Sequence, residues 1–237
     1  MIGGGVVAAI IVVVVLAIAL SGGKSGSGIP SGTPTIGNLT DALPGAADVA
    51  SQYKGIPQTA TTLGWPFAPV TMTEYIDLQC PVCREFETTV MPDILTKYVR
   101  TKKVKVVVKP WAFIGPDSFK GQAAMFAAAA QNKAFNFAQV LYDNQGTENT
   151  GWLTDKMLAQ IAASVPGLNV PKLFADRNGS AVKHQAAGVD ADAQANHVNA
   201  TPTLFVGKSG TNGTQVNMAN GGDEPALVQA LDAALGK

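Results

Sequence analysis

Only two cysteines occur in the 237 residues, and they stand three apart as Cys80-Pro81-Val82-Cys83. No other stretch confines the fold as tightly. Val70-Thr71-Met72-Thr73-Glu74-Tyr75-Ile76-Asp77-Leu78 precedes the pair and is rich in β-branched, apolar and aromatic residues, which predicts a strand. From Cys83 to about Arg100 the apolar residues Phe86, Val90, Ile94, Leu95 and Tyr98 recur at helical spacing. Cys80 therefore falls where a strand hands over to a helix. Pro81 suits the first helical position, because the N–H it lacks would be unpaired there anyway.

That placement carries chemistry. Residues i and i+3 share a helix face with Cβ atoms roughly 5–6 Å apart. A disulfide needs about 3.5–4.5 Å, so a small adjustment closes it. Stabilisation by a disulfide grows with the loop it closes, and this loop is tiny. A bond easily made that adds little stability reads as reactive. The free N–H groups of Val82 and Cys83 and the positive helix end favour a thiolate at Cys80. Cys83 lies one turn inside and is expected to be shielded. Cys80 would attack or be attacked, and Cys83 would resolve the mixed disulfide. The competing reading, half of a zinc site, needs about four ligands. The sequence offers only His184 and His197 besides, at a spacing wide of the usual pattern, so no metal is expected.

Three segments in order, Ala68-Pro69-Val70-Thr71, Glu74 through Cys83, and Thr201-Pro202-Thr203-Leu204-Phe205-Val206-Gly207, resemble the DsbA-like thiol–disulfide oxidoreductases. The resemblance runs from about Val49 to the C-terminus. It implies an α/β thioredoxin fold with an inserted helical subdomain. It also implies that Pro202 is a cis-proline facing the cysteines, with Thr201 before it presenting backbone to a client peptide as an added strand. Pro81, Val82, Thr201 and Pro202 would then form the substrate-binding surface. Glu74, six residues before Cys80, would be a buried acid near Cys83 that assists proton transfer, joining the two cysteines as a catalytic residue. Val82 departs from the family, whose members often carry a polar or aromatic residue there. A Cys80 thiolate nearer the about 7 of thioredoxin than the about 3.5 of DsbA is expected. Asp77 is open between a solvent-facing, a helix-capping and a catalytic role.

Hydrophobic periodicity orders the remainder. Residues 2–20 form an almost unbroken apolar run, long enough to span a bilayer as a helix. The alternative is a cleaved secretory signal ending near Ala17-Ile18-Ala19. Either would carry the domain across a membrane, leaving it anchored outside the cytoplasm by a single span, or secreted. Residues 21–45 are rich in Gly, Ser and Pro and predict a flexible linker. Residues 46–237 form the domain. A short helix is expected over Ala46–Tyr53, a first extended strand over Ile56–Gly64, and a central strand over Val104–Lys109 parallel to Val70–Leu78. Helices Ser118–Asn132, Lys133–Asn144, Thr154–Ser164, Pro171–Arg177 and Ser180–Asn196 fill an insertion over about 117–197, their aromatic residues read as core. Thr203–Val206 pairs with Gln215–Met218, and Glu224–Leu235 closes the domain as an amphipathic helix.

Lys and Arg number 17, equal to Asp and Glu, so the net charge is zero and a nucleic-acid partner is disfavoured. The expected partners are cysteine-containing client proteins and a membrane redox partner that reoxidises or reduces the pair, with no bound cofactor. The expected activity introduces disulfides into secreted or surface proteins. A reductase or isomerase uses the same residues and stays open, as does a peptide-binding module without catalysis.

Overall fold

A computed structural model describes residues 28–218 and 222–237. The apolar run over residues 2–20, and the linker up to residue 27, lie outside these. Among the described residues no helix is long and apolar enough to cross a membrane.

One sheet organises the domain, in the order β1-β2-β4-β3-β5-β6. β3 (Val70–Ile76) is central, with β4 (Val104–Pro110) parallel on one side and β5 (Thr203–Lys208) antiparallel on the other. This mixed sheet is the one expected of a thioredoxin fold. The expected strand over Ile56–Gly64 is instead a tight hairpin, β1 (Gln58–Thr59) against β2 (Thr62–Leu63). Ala60 takes a left-handed φ of 50° and its N–H is held by the Asn132 side chain at 3.0 Å, so the chain folds back where composition suggested extension. β6 (Thr214–Gln215) is equally short.

α1 (Ala46–Tyr53) forms as expected. The helix after the cysteines is not continuous. α2 (Pro81–Thr89) ends at Val90, α3 (Met91–Ile94) follows, and Leu95–Val99 winds as a π-helical turn. Pro92 has no N–H to return to the preceding turn, and its ring crowds that turn's carbonyl, so the helix breaks there. The five insertion helices are α4 (Pro116–Ala129), α5 (Ala134–Asp143), α6 (Asp155–Ala163), α7 (Val170–Asp176) and α8 (Ser180–Ala195). α9 (Glu224–Ala234) closes the domain.

Alternation along β3 sorts the core. Val70, Met72 and Ile76 are buried with Phe86, Ile94 and Leu95 from the helix after the cysteines and with Leu227 and Leu231 of α9. Tyr75 points to the other face, where it packs with Ala193 of α8, Val198 and Phe205.

The linker reading is corrected over its described part. Gly37 donates its N–H to Leu168 O at 2.8 Å and accepts from Gly167 N at 2.9 Å. Thr35 and Asn38 bond to Val170 and Ala163 in the same way, and Leu43 N donates to Ser164 Oγ at 2.9 Å. The segment lies as a strap along α6 and the turn to α7. Polar composition predicted freedom, but the backbone of such a segment can be bonded by a partner surface that periodicity does not reveal.

α4 crosses the end of the central strand at Gly121. A Cβ there would stand 2.6 Å from Leu78 Cβ, an atom too close to its own backbone to swing aside. Gly121→Ala is expected to cost about 1–3 kcal/mol of stability through overpacking. The denaturant midpoint reads this, and an unchanged midpoint would show that α4 can slide off the elbow below it.

Candidate active site

β3 ends at Ile76, and Asp77, Leu78 and Gln79 turn the chain into α2. Cys80 is the N-cap residue, in extended conformation at φ −69° and ψ 120°, with Pro81 beginning the helix as expected. The Cys80 sulfur accepts from Cys83 N at 3.4 Å, satisfying one of the N–H groups a helix start leaves free. On its other side, the Cys80 thiol lies 3.5 Å from the carbonyl oxygen of Thr201. Through this contact the two segments named in the sequence do meet, and the Thr201–Pro202 bond is cis as the resemblance implies. Both cysteines are free thiols. Cys83 is fully buried as expected, while Cys80 is 5% exposed, more covered than a helix mouth suggests, because the Thr201 segment lies over it. Val82 is half-buried beside the pair.

The turn is braced by groups the sequence did not single out. Asp77 is neither solvent-facing nor the cap of α2. It is fully buried, and its carboxylate accepts from Gln79 N at 3.0 Å, Phe113 N at 3.1 Å and Ile114 N at 3.2 Å. It thereby ties the loop after β4 to the elbow. Tyr142 of α5, read as core, donates its hydroxyl to Asp77 O at 3.1 Å. Gln145 Nε2 donates to Leu78 O at 3.1 Å and to Cys80 O at 3.2 Å. Gln79 bonds Ser118 Oγ at 2.7 Å and Asn149 N at 2.9 Å. α5 and the residue just past it thus hold the backbone of this turn, and α4 holds its Gln79 side chain, so the cysteine pair sits on a braced corner. A phenol spaced like a core residue of α5 and amides in turns have no distinguishing sequence pattern, which is why they passed unseen.

The electrostatics differ sharply between the two sulfurs. Interaction with the Cys83 thiol holds the Cys80 pKa down to about 6 against the opposing cost of burial, with the Thr201 hydroxyl and the N–H groups of Cys83 and Val82 adding to it. The Thr201 hydroxyl oxygen is buried with no other partner, so it is available to the thiolate. Burial drives the Cys83 pKa well up, and the Cys80 sulfur beside it adds to this.

Two buried acids lie close to one another, one of them on α2 with Cys83. Glu74 is fully buried as expected. Glu87, four residues after Cys83 and so on the same face of α2, is also buried. It was missed because a Glu after Phe86 reads as the wet side of a helix. Neither Glu74 oxygen has a hydrogen-bond partner, so the coupling of the two carboxyls is electrostatic. Burial raises both pKa values, that of Glu87 to about 8; that of Glu74 is raised by burial and then by the like charge of Glu87. Tyr142 is the shared neighbour, its pKa raised by burial and then by Cys83 and Glu87. Among the described residues no cation acts on either acid, and Val108, buried, is the residue opposite Glu74 on β4. Burial therefore favours the protonated form of both acids, and Glu87 keeps its proton up to about pH 8. His184 and His197 are exposed and belong to no site, and among the described residues no three His, Cys, Asp or Glu side chains gather as a metal centre.

Residues 57–219 match the family model described as Thioredoxin. The probable disulfide bond formation protein D of Bacillus cereus is 31% identical over 182 residues, 76% of this chain and 80% of that protein. The disulfide bond formation protein D of Bacillus subtilis is 26% identical over 180 residues, 71% of this chain and 75% of that protein. The crystal structure of oxidised BdbD from Bacillus subtilis superimposes with a TM-score of 0.67 at 22% identity, covering 77% of this chain and 98% of that one. At that identity the likeness carries the fold.

The buried acids make stability depend on pH. The Glu87 pKa is about 8 in the folded chain against 4.5 for a free glutamate side chain. Between those values the folded state keeps a proton the unfolded state has lost, so stability falls as pH rises through that window. Glu87→Gln removes this loss. Its stability gain over the parent, measured by denaturant in the reduced protein, should be small at the acid end of the window, grow across it and level off above about pH 8. A gain that is the same at every pH would mean that Glu87 does not retain its proton on folding.

Proposed function

This chain belongs to the thioredoxin family, among the DsbA-like thiol–disulfide oxidoreductases, and we propose that it works in the oxidising direction on client proteins outside the cytoplasm. One observation carries the direction: the Cys80 pKa is lowered to about 6 while that of Cys83 is raised. A stabilised thiolate lowers the energy of the reduced pair, which makes the disulfide a stronger oxidant. The names of the Bacillus relatives, disulfide bond formation proteins, agree with this reading. The apolar run over residues 2–20 supports delivery across a membrane, as an anchor or a cleaved signal.

The steps follow from the geometry. A client thiolate attacks the Cys80 sulfur of the Cys80–Cys83 disulfide. The bridge breaks, a mixed disulfide forms on Cys80, and Cys83 leaves as a thiolate. Buried and raised in pKa, Cys83 takes a proton readily; in this reading its supply falls to Glu74 and Glu87, the latter one turn past Cys83 on α2. A second client thiolate then attacks the client sulfur of the mixed disulfide. Cys80 leaves as a stabilised thiolate, which makes it the better leaving group. The client has lost two electrons and the pair has gained them. A membrane redox partner would take these up by a further exchange. Thr201 and Pro202 present the backbone edge on which a client strand lies, with Pro81 and Val82 at its rim. Stacked Trp111 and Phe113, 4.4 Å between centroids, and exposed Phe119 offer an apolar surface along the loop that Asp77 fixes.

Mixing the oxidised chain with a reduced, unfolded two-cysteine protein should give a client disulfide and a reduced Cys80–Cys83 pair. Cys83→Ala should accumulate mixed disulfides through Cys80. In the reduced parent, Cys80 should alkylate first, with a rate midpoint near pH 6. If the oxidised chain leaves client thiols untouched while the reduced chain opens client disulfides, the direction is reversed.

A further inference from the structure

A polar cluster on the other face of the sheet plays no part in the exchange chemistry. Tyr75 stands between Lys109 on β4 and Thr203 on β5, all at one level of the sheet. The Tyr75 hydroxyl and the Lys109 ammonium both donate to Oδ2 of Asp192 on α8. Lys109 Nζ also reaches the Tyr75 hydroxyl at 3.3 Å and lies 5.0 Å from the ring centroid. Asn196, just past α8, donates to the Tyr75 hydroxyl at 3.3 Å and to Asp192 O at 2.8 Å. The Tyr75 ring is buried and meets Phe205 edge-on at 5.9 Å. An exposed ion pair on a surface holds little. This one is anchored by a buried ring that would leave its hydroxyl short of a partner if α8 moved.

What α8 leads to gives the cluster its meaning. His197 ends the helix at a left-handed φ of 55°, and Val198 N bonds back to Ala193 O at 2.9 Å. Val198 is buried beside Tyr75. The chain then passes directly to Ala200, whose carbonyl accepts from Thr203 Oγ1 at 2.8 Å, and to the Thr201–Pro202 bond over Cys80. Little slack separates the last turn of α8 from the backbone edge beside Cys80.

We propose that Tyr75, Lys109 and Asp192 form a latch that positions the Thr201–Pro202 segment for client peptides. They are positioning residues, acting through the chain from Asn196 to Thr201. The proposal rests on thiol exchange at Cys80 but not on its direction. A small dithiol needs only the Cys80 sulfur. An extended peptide needs the backbone edge as well, at the right height. Misplacing such an edge by about 1 Å can cost up to about a hundredfold.

The test compares dithiothreitol with an extended cysteine-containing peptide, using the full chain and its variants Asp192→Ala, Asp192→Asn and Tyr75→Phe. For Asp192→Ala, KM for the peptide should rise by about tenfold or more, with kcat and the dithiothreitol rate unchanged. Asp192→Asn keeps an acceptor and should recover part of the loss, and Tyr75→Phe should lie between. An unchanged peptide KM in Asp192→Ala overturns the latch. So does a loss for both substrates that tracks a fall in melting temperature, since that marks a merely structural role. A parent chain inert to both substrates would overturn the exchange reading itself, and the latch with it.

Discussion

A thiolate at a helix start, held in a corner almost closed to water, is the condition on which this structure depends. Burial alone would raise the Cys80 pKa, as it raises that of Cys83. The opposite outcome requires donors aimed at one sulfur: the Cys83 thiol and N–H, the Val82 N–H and the Thr201 hydroxyl. The first three come from α2 itself, because an N-cap sulfur faces the N–H groups that no carbonyl precedes. The fourth comes from a segment 121 residues later, just before β5, which lies beside β3. Such an arrangement works only if the corner does not relax. The carbonyls of Asp77, Leu78 and Cys80 are held by Tyr142 and Gln145, and the Asp77 carboxylate holds the neighbouring loop. The helical insertion is therefore the frame of the site as well as a cover over it.

The same burial sets the proton chemistry. Two carboxyls sharing a dry nest with no cation cannot both ionise cheaply. Burial favours the protonated form of both, and one of them, Glu87, stands one turn past Cys83 on α2. The cost appears as stability lost with rising pH. Val108 matters here through what it lacks: a cation at that position, directly across from Glu74, would offset the charge and release the proton.

Much of this was legible in the sequence, because the informative features are local. The strand into Cys80, Pro81 at the first helical position, the alternation of β3 and the five insertion helices all follow from spacing and capping chemistry. Thr201, Pro202 and Glu74 came from a family resemblance; the structure brings Thr201 to 3.5 Å from the Cys80 sulfur and buries Glu74. The features that escaped are those fixed by distant partners. Glu87 carries no mark of burial except its place one turn after Cys83. Asp77 changed meaning once the loop after β4 folded onto it. The strap over residues 28–45 looked free because its bonds are made by backbone to a surface formed more than a hundred residues later. The β1–β2 hairpin turned on one side chain, Asn132.

The reduction potential of the Cys80–Cys83 couple, measured by equilibration with glutathione, tests the account most directly. A thiolate pKa of about 6 lies between those of thioredoxin and DsbA. The potential should accordingly fall above thioredoxin's value of about −270 mV and below DsbA's of about −120 mV. A value at or below about −270 mV would contradict the claim that stabilisation of the Cys80 thiolate makes this pair an oxidant.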